Sequence, residues 1–337
     1  MSYQYDLSSI NDARRRLIVA GAAWPALALL GAARAQSKPP VLIGWISPGA
    51  RETSIDALNA FHEGMAALGW KAGVQYVLEE HWGEGRGERM PALAQALAGR
   101  KPAVIVANPS ATAGIAAKAA PATPVVLVGG DPVISGLVTS LARPGGMITG
   151  LSNVNAEINE KLIQLLMESL PKLQRIGFFA DASGPGYGNN VKTVHRAAER
   201  YRFAATIADV VKPQDIEPAI ARLAQDKAQA LVLLTTSWLT AHRQQIVKLA
   251  LAHRWPVVCN HPTFAEAGAL FSYGPDPGEA YRRAAYFVDR ILKGAKPGDL
   301  PIEQPTKYEM VLNLKTAKAL GITIPQSILV RANKVIE

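Results

Sequence analysis

Val41-Leu42-Ile43-Gly44-Trp45-Ile46, Ala103-Val104-Ile105-Val106-Ala107 and Val125-Val126-Leu127-Val128 are short, continuously apolar runs. Runs of this length without polar alternation mark strands buried on both faces, the habit of parallel sheets covered by helices. The intervening stretches carry the helical period. Ile55, Leu58, Phe61 and Met65 share a face within residues 53–68, and Met90, Leu93, Ala94 and Leu97 repeat at i, i+3, i+4, i+7. Residues 74–78 read as a further strand. The rhythm restarts in the second half, where Ile158, Leu162, Leu165, Leu166 and Ser169 mark a helix face. Strands are predicted at 175–180, 204–208, 230–234 and 256–258, with helices at 187–201, 215–223 and 239–253. Two such runs predict an α/β protein of two doubly wound units.

Arg143-Pro144-Gly145-Gly146, just before residues 149–153, allows a change of direction and marks the junction and a hinge. The second run stops short of the C-terminus. After Phe271-Ser272-Tyr273-Gly274-Pro275 comes a helix with Tyr281, Ala285, Val288 and Leu292 on one face, then a strand at 308–312 and a short helix at 315–320. Elements left over after two complete units imply that the chain crosses back between them.

Of 337 residues, 49% are apolar and 19% charged, which excludes a disordered chain. The single cysteine, Cys259, excludes an intrachain disulfide and a Cys-rich metal site, and it reads as a buried, inert thiol. Thirty-six Lys and Arg against 27 Asp and Glu give a net charge of +9. Outside Arg14-Arg15-Arg16 the basic residues are scattered, so no nucleic-acid partner is expected. Those three arginines precede an uncharged run, residues 17–33, and then Ala33-Arg34-Ala35. This is the layout of a secretory signal peptide, residues 1–35, cleaved after Ala35. Arg14-Arg15-Arg16-Leu17-Ile18 favours the twin-arginine route over Sec. The run is too short for a membrane span, so a soluble periplasmic protein is expected.

In open parallel sheets, ligands bind beyond the carboxyl ends of the strands. The segments there are 47–49, 108–112, 129–132, 181–187, 235–238 and 260–263, rich in hydroxyls, amides and glycine. Ser47, Ser110 and Thr112 can hold a carboxylate together with backbone N–H groups. Asp131 can pair with a ligand amine or cap the following turn. Tyr187, Ser237, Trp238 and Tyr273 can supply a hydrogen-bonding and stacking wall. No G-x-S-x-G, H-E-x-x-H or Walker A string occurs, and the six histidines have no metal spacing. No catalytic residue, metal or cofactor is therefore expected. The glycine-rich tracts at 83–87 and 184–188 read as turns.

Three stretches carry a family resemblance. The first is Gly130-Asp131-Pro132-Val133, Gly136-Leu137-Val138, Ser140-Leu141-Ala142-Arg143-Pro144-Gly145-Gly146 and Thr149-Gly150. The second is Ala267-Gly268-Ala269-Leu270, Ser272-Tyr273-Gly274-Pro275-Asp276 and Tyr281-Arg282-Arg283-Ala284-Ala285. The third is Leu292-Lys293-Gly294-Ala295-Lys296-Pro297, Leu300-Pro301, Glu303-Gln304-Pro305-Thr306-Lys307, Asn313-Leu314-Lys315-Thr316-Ala317 and Leu320-Gly321-Ile322. Together they resemble the substrate-binding proteins of ABC transporters of the tryptophan/tyrosine type. The resemblance implies a type I periplasmic-binding fold, two Rossmann-like lobes joined by a multi-strand hinge. The first lobe is expected to hold residues 36–150 with 276–304 returning to it, the second 151–275 with 305–337. It further implies a monomer that captures a small organic acid or amino acid, aromatic ones among the candidates, and delivers it to an ABC permease. The alternative is a ligand sensor or enzyme on the same two lobes, without a permease.

Overall fold

The computed structural model describes residues 39–337 except Val154, Pro185 and Thr235, and the side chains of Asn155, Ala156 and Ser237 are likewise left undescribed. The signal-peptide reading of residues 1–35 lies outside the described residues.

The first sheet is built from β1 (Val41–Ser47), α1 (Ile55–Ala67), β2 (Tyr76–Trp82), α2 (Met90–Gly99), β3 (Val104–Ala107), α3 (Ser110–Ala119), β4 (Val125–Val128) and β5 (Ile148–Leu151). Its strands are all parallel, in the order β2-β1-β3-β4-β5. The predicted strand at 74–78 begins later, because Val74 and Gln75 both donate to Lys71 O and form a turn instead. Side chains alternate across β1. Ile43 and Trp45 join Leu58, Phe61 and Met65 of α1, while Ile46 packs with α2 and α3 on the other face.

The second sheet follows as α4 (Asn155–Ser169), β6 (Arg175–Asp181), α5 (Tyr187–Tyr201), β7 (Ala204–Val210), α6 (Ile216–Gln225), β8 (Ala230–Leu234), α7 (Ser237–Ala241), α8 (Arg243–Ala252), β9 (Val257–Cys259), α9 (Pro262–Glu266) and β10 (Phe271–Pro275). The chain continues through α10 (Pro277–Leu292), β11 (Tyr308–Asn313), α11 (Leu314–Leu320), α12 (Gln326–Leu329) and β12 (Lys334–Ile336). The sheet order is β12-β11-β10-β9-β8-β6-β7, with β11 antiparallel to β10. The helix predicted over 239–253 is broken at His242, whose φ and ψ of −98° and 14° leave the helical region. Its N–H still reaches Trp238 O at 3.2 Å, and its ring Nδ1 meets the same oxygen at 2.9 Å.

α10 follows a strand of the second sheet yet completes the core of the first, where Tyr281, Ala284, Phe287 and Val288 join Trp45 and Phe61. Burying Tyr281, Phe287 and Val288 contributes roughly 5–9 kcal/mol, at roughly 1.5–3 kcal/mol per side chain. Gly64 permits the approach, since a Cβ there would lie 2.7 Å from Arg282 O. One helix turn and more onward, Trp70 Nε1 donates to the buried Asp289 at 2.8 Å, and Lys293 Nζ lies 2.7 Å from the same carboxylate oxygen. These contacts make α1 and α10 run in the same direction.

The chain passes between the sheets three times: from Leu151 to Asn155, from Pro275 to Pro277, and across residues 304–307. The first and third passages run side by side. Ser152 N donates to Glu303 O at 2.8 Å and Glu303 N to Gly150 O at 2.9 Å. Arg283 clamps the pair, holding both Glu303 oxygens at 2.7 and 2.8 Å. Every passage leaves β5 or β10 at its carboxyl end or enters β11 at that same edge. The carboxyl edges of the two sheets therefore face each other.

Candidate functional site

Each sheet reverses its strand order once. The reversal lies between β1 and β3 in the first sheet and between β6 and β8 in the second. At such a point the two crossover helices depart to opposite faces and leave a crevice at the carboxyl edge. Since the edges are opposed, the two crevices open toward one another.

On the first sheet, Ser47 ends β1 and its Oγ accepts from Gly49 N at 3.3 Å. Gly83, Glu84 and Gly85 donate in turn to the carbonyls of Ser47, Gly49 and Pro48, at 2.9, 3.1 and 2.8 Å. This zips the loop after β2 onto the loop after β1 and carries it toward the second sheet. A Cβ on Gly85 would sit 4.0 Å from the Cβ of Ala241 in α7. Ser110 opens α3 and Thr112 lies in its first turn; both are buried, 4% and 2% exposed. Ser135 Oγ gives its proton to Asp131 O at 2.6 Å, so in the 2.9 Å contact with Ser110 Oγ it is Ser110 that donates. The Ser110 hydroxyl is left as an acceptor. The Gly130 backbone lies directly over it: φ is +83°, and a Cβ would fall 2.5 Å from Ser110 Oγ. Asp131 Oδ1 accepts from Val133 N and Ile134 N at 2.9 and 3.0 Å, the turn-capping arrangement.

On the second sheet, Asp181 ends β6 and Trp238 lies in α7 after β8, one on each side of the reversal. Trp238 Nε1 donates to Asp181 Oδ2 at 2.9 Å, and Ser183 donates to Oδ1 through its N–H and hydroxyl. Ser237 opens α7 beside them. Tyr187 is directed elsewhere, its hydroxyl donating at 2.7 Å to Asp209 on β7, the outermost strand. Tyr273 stacks on Tyr308 at 5.7 Å between centroids, with planes 13° apart. It stands on β10, three strand spacings from β6, or about 14 Å. Ser47 and Ser110 thus meet at one reversal and Ser237 and Trp238 at the other. Asp131 stands one strand aside, in the loop after β4, and Tyr187 and Tyr273 stand to either side.

Electrostatics set the remaining chemistry. Burial, seconded by the Arg243 charge and opposed by Glu266, pushes His261 down to about 4, so the imidazole is neutral at pH 7. Its Nδ1 is 2.8 Å from Thr263 Oγ1. Burial pushes the Cys259 thiol up to about 12, so it stays protonated, as an inert thiol does. Among the described residues no group of three or more His, Cys, Asp or Glu is placed to hold a metal ion. No helix of these residues is long and apolar enough to cross a membrane. A hollow of about 590 Å³ opens at the amino ends of β1, β3, β4 and β5, and Lys296 is the one hydrogen-bonding side chain in its lining. It is at the opposite end of the first sheet from the loops just described.

A model of the ABC transporter substrate binding protein family matches residues 50–336. The chain belongs to that family. The tyrosine-binding protein of Clostridioides difficile (strain R20291) is 26% identical to it over 192 residues, 57% of this chain and 55% of that one. The chain thus spans about half the length of that relative. The crystal structure of an ABC domain from Streptococcus pneumonia in complex with L-Trp superposes with a TM-score of 0.82 at 23% identity, covering 88% of this chain and 100% of the other. A conserved domain protein from Vibrio cholerae gives 0.81 at 24% identity, covering 88% and 99%. These likenesses establish the two-lobed α/β fold.

In this substrate-binding protein, four buried polar side-chain atoms among the described residues lack a hydrogen-bond partner: Trp45 Nε1, Ser152 Oγ, Asn159 Oδ1 and Thr236 Oγ1. Ser152 follows β5, Thr236 follows β8, and Asn159 lies in the first turns of α4. An unpaired buried polar atom costs about 1–3 kcal/mol, and three of the four stand by the opposed edges. None was a sequence candidate. Thr236 belongs to the loop at 235–238 and Ser152 to the junction at 149–153, whereas Asn159 carries no motif and only the fold brings it to the edge. Asp181 was likewise inside a flagged loop, but its bond to Trp238 spans 57 residues and has no sequence signal.

Proposed function

We propose that this chain is an exported solute receptor that clamps a small amino acid or organic acid between its lobes and delivers it to an ABC permease. The observation that carries the reading is the confrontation of two strand-order reversals across three chain passages, the first with Ser47, Ser110 and Thr112 beside it and the second with Asp181, Ser183 and Trp238. The first lobe comprises residues 36–150 with 276–304, the second 151–275 with 305–337. The packing of α10 on α1 and the pairing of β11 with β10 support this division. Backbone N–H groups at the start of α3, with Ser47 and Thr112, hold a carboxylate, and Trp238 supplies an aromatic wall. The protein works as a monomer, without catalysis, in the periplasm, after cleavage behind Ala35 and export by the twin-arginine route. The named ligands of the relatives, tyrosine and tryptophan, support amino acids as the first class to try.

A thermal-shift screen of the common amino acids, aromatic acids and small carboxylates tests the reading. A ligand at a thousand times its Kd stabilises the folded state by about 4 kcal/mol, a rise of several degrees in Tm. No shift with any compound would remove the solute-receptor reading for these classes.

A further inference from the structure

We infer that the amino end of the second sheet, remote from the opposed edges, is a docking surface for an anionic phospholipid bilayer. The cations there are scattered in sequence, and the strand order gathers them. β9, β8, β6 and β7 are neighbours, and their first residues lie within one residue of each other in register. Arg254, Lys227 and Arg202 lie just before β9, β8 and β7, Lys172 lies before β6 and Arg175 starts it; all five are exposed. Three strand spacings make the row about 14 Å long. None of the five belongs to an ion pair among the described residues. Arg175 and Arg254 reach only carbonyls, donating to Asp226 O and Leu320 O at 3.4 and 3.3 Å. The loops and last helical turns leading into these strands hold three acids, of which Glu168 is paired with Arg331, leaving Glu199 and Asp226.

The backbone shows that three of these cations stand where glycine would be less strained. Among the described residues, five other than glycine have positive φ: Glu84 and four cations, Lys101 at 54°, Arg202 at 57°, Lys227 at 57° and Arg254 at 59°. Each of the four cations stands one or two residues past the end of a helix, namely α2, α5, α6 and α8. Glycine is the unstrained residue at that position, and the same chain uses it after α1 and α11, where Gly69 and Gly321 have φ of 88° and 72°. A helix dipole favours a cation at its C-terminus. However, α5 and α6 already carry Arg200 and Arg222 within their last turns, with no strain. An anion outside the molecule accounts for three strained, unpaired cations side by side. A row this long meets separated charges rather than one small anion. A folded acidic partner would need carboxylates fixed at this spacing, whereas the phosphates of a fluid bilayer move to match it. Each Lys or Arg close to such a surface strengthens binding about fivefold.

The test is vesicle flotation with the chain beginning at Gln36, so that Arg14-Arg15-Arg16 play no part; residues 41–337 form one compact unit. Vesicles of phosphatidylglycerol and phosphatidylcholine in equal parts are compared with vesicles of phosphatidylcholine alone. Salt is set at about 0.15 M and about 1 M, where the Debye length is about 8 and about 3 Å. The parent should float with the mixed vesicles at the lower salt, stay behind with the neutral ones, and be released at the higher salt. The triple variant Arg202→Gly, Lys227→Gly, Arg254→Gly should bind about 100-fold more weakly. Its Tm should be unchanged or higher, because glycine relieves the left-handed backbone. Lys101→Gly relieves the same geometry on the first sheet, away from the row, and should leave vesicle binding unchanged. The inference is overturned if the parent shows no preference for anionic vesicles, or if the triple variant binds as the parent does. It is equally overturned if Lys101→Gly weakens binding as much as the triple variant, or if the triple variant loses stability, which would make these cations helix caps.

Discussion

Gly150→Ala strikes the strand from which the first passage between the lobes departs. Gly150 has φ of +124°, a region closed to residues with a side chain, and a Cβ there would lie 2.2 Å from Leu127 O and 2.7 Å from Leu127 N. A carbon–oxygen contact needs about 3.3 Å, so β5 must move away from β4 by about 1 Å or surrender its pairing. The backbone strain is about 1–3 kcal/mol, and losing two ladder hydrogen bonds adds about 1 kcal/mol each. The expected loss is about 3–5 kcal/mol. Gly146→Ala is the control, because Gly146 also has positive φ, +64°, but a Cβ there meets nothing within 4 Å. It should lose only the left-handed penalty, about 1–2 kcal/mol. Urea denaturation of both variants reads the difference, with equal slopes confirming that the folded states are alike. The displaced β5 also carries the Gly150 O and Ser152 N bonds to Glu303, so Gly150→Ala should loosen the paired passages and weaken ligand binding. Equal loss of stability in the two variants would refute the reasoning, since it would mean that the contact with Leu127 costs nothing.

Three further outcomes are expected. Replacing Ala241 by Trp puts an indole where the loop after β2 meets α7; ligand affinity should fall about 5- to 150-fold, the range for about 1–3 kcal/mol of overpacking, while Tm without ligand stays put. His261 has its folded pKa, about 4, below the unfolded value of 6.5, so between these the unfolded chain binds more protons and stability is lost as pH falls. The loss is at most about 3 kcal/mol for this part-exposed ring, and His261→Gln should flatten the stability profile over that window; an unchanged slope would show that another group controls it. N-terminal sequencing of the exported protein should begin at Gln36, and replacing Arg14 and Arg15 by Lys should stop export; an intact N-terminus or continued export would contradict the cleavage or the twin-arginine route respectively.

The sheets were legible because a strand buried on both faces has to be apolar throughout, as at 41–46 and 230–234, and because the helices between them keep their period. Local backbone geometry was less legible. Nothing in the pattern of 239–253 announces the break at His242, where the backbone leaves the helical region and the ring lies against Trp238 O. Val74 has strand character by type but serves a turn. The loops at the carboxyl ends could be located by counting strands; their partners could not. Tyr187 and Asp181 belong to one stretch of sequence, yet one bonds to Asp209 on the outermost strand and the other to Trp238 across the reversal. That choice follows from the order β9-β8-β6-β7, which linear sequence does not express. The stacking of Tyr273 on Tyr308 likewise arises because β11 returns antiparallel beside β10.

Small-angle X-ray scattering with and without the tightest-binding compound of the thermal-shift screen tests the central claim, that one ligand is held by both lobes at once. Ligand contacts on both opposed edges stabilise the closed arrangement by their differential free energy. The radius of gyration should therefore fall at saturating ligand and should fall less in the Ala241→Trp variant. An unchanged radius, with saturation verified by calorimetry on the same sample, would contradict the claim that the ligand is clamped between the lobes.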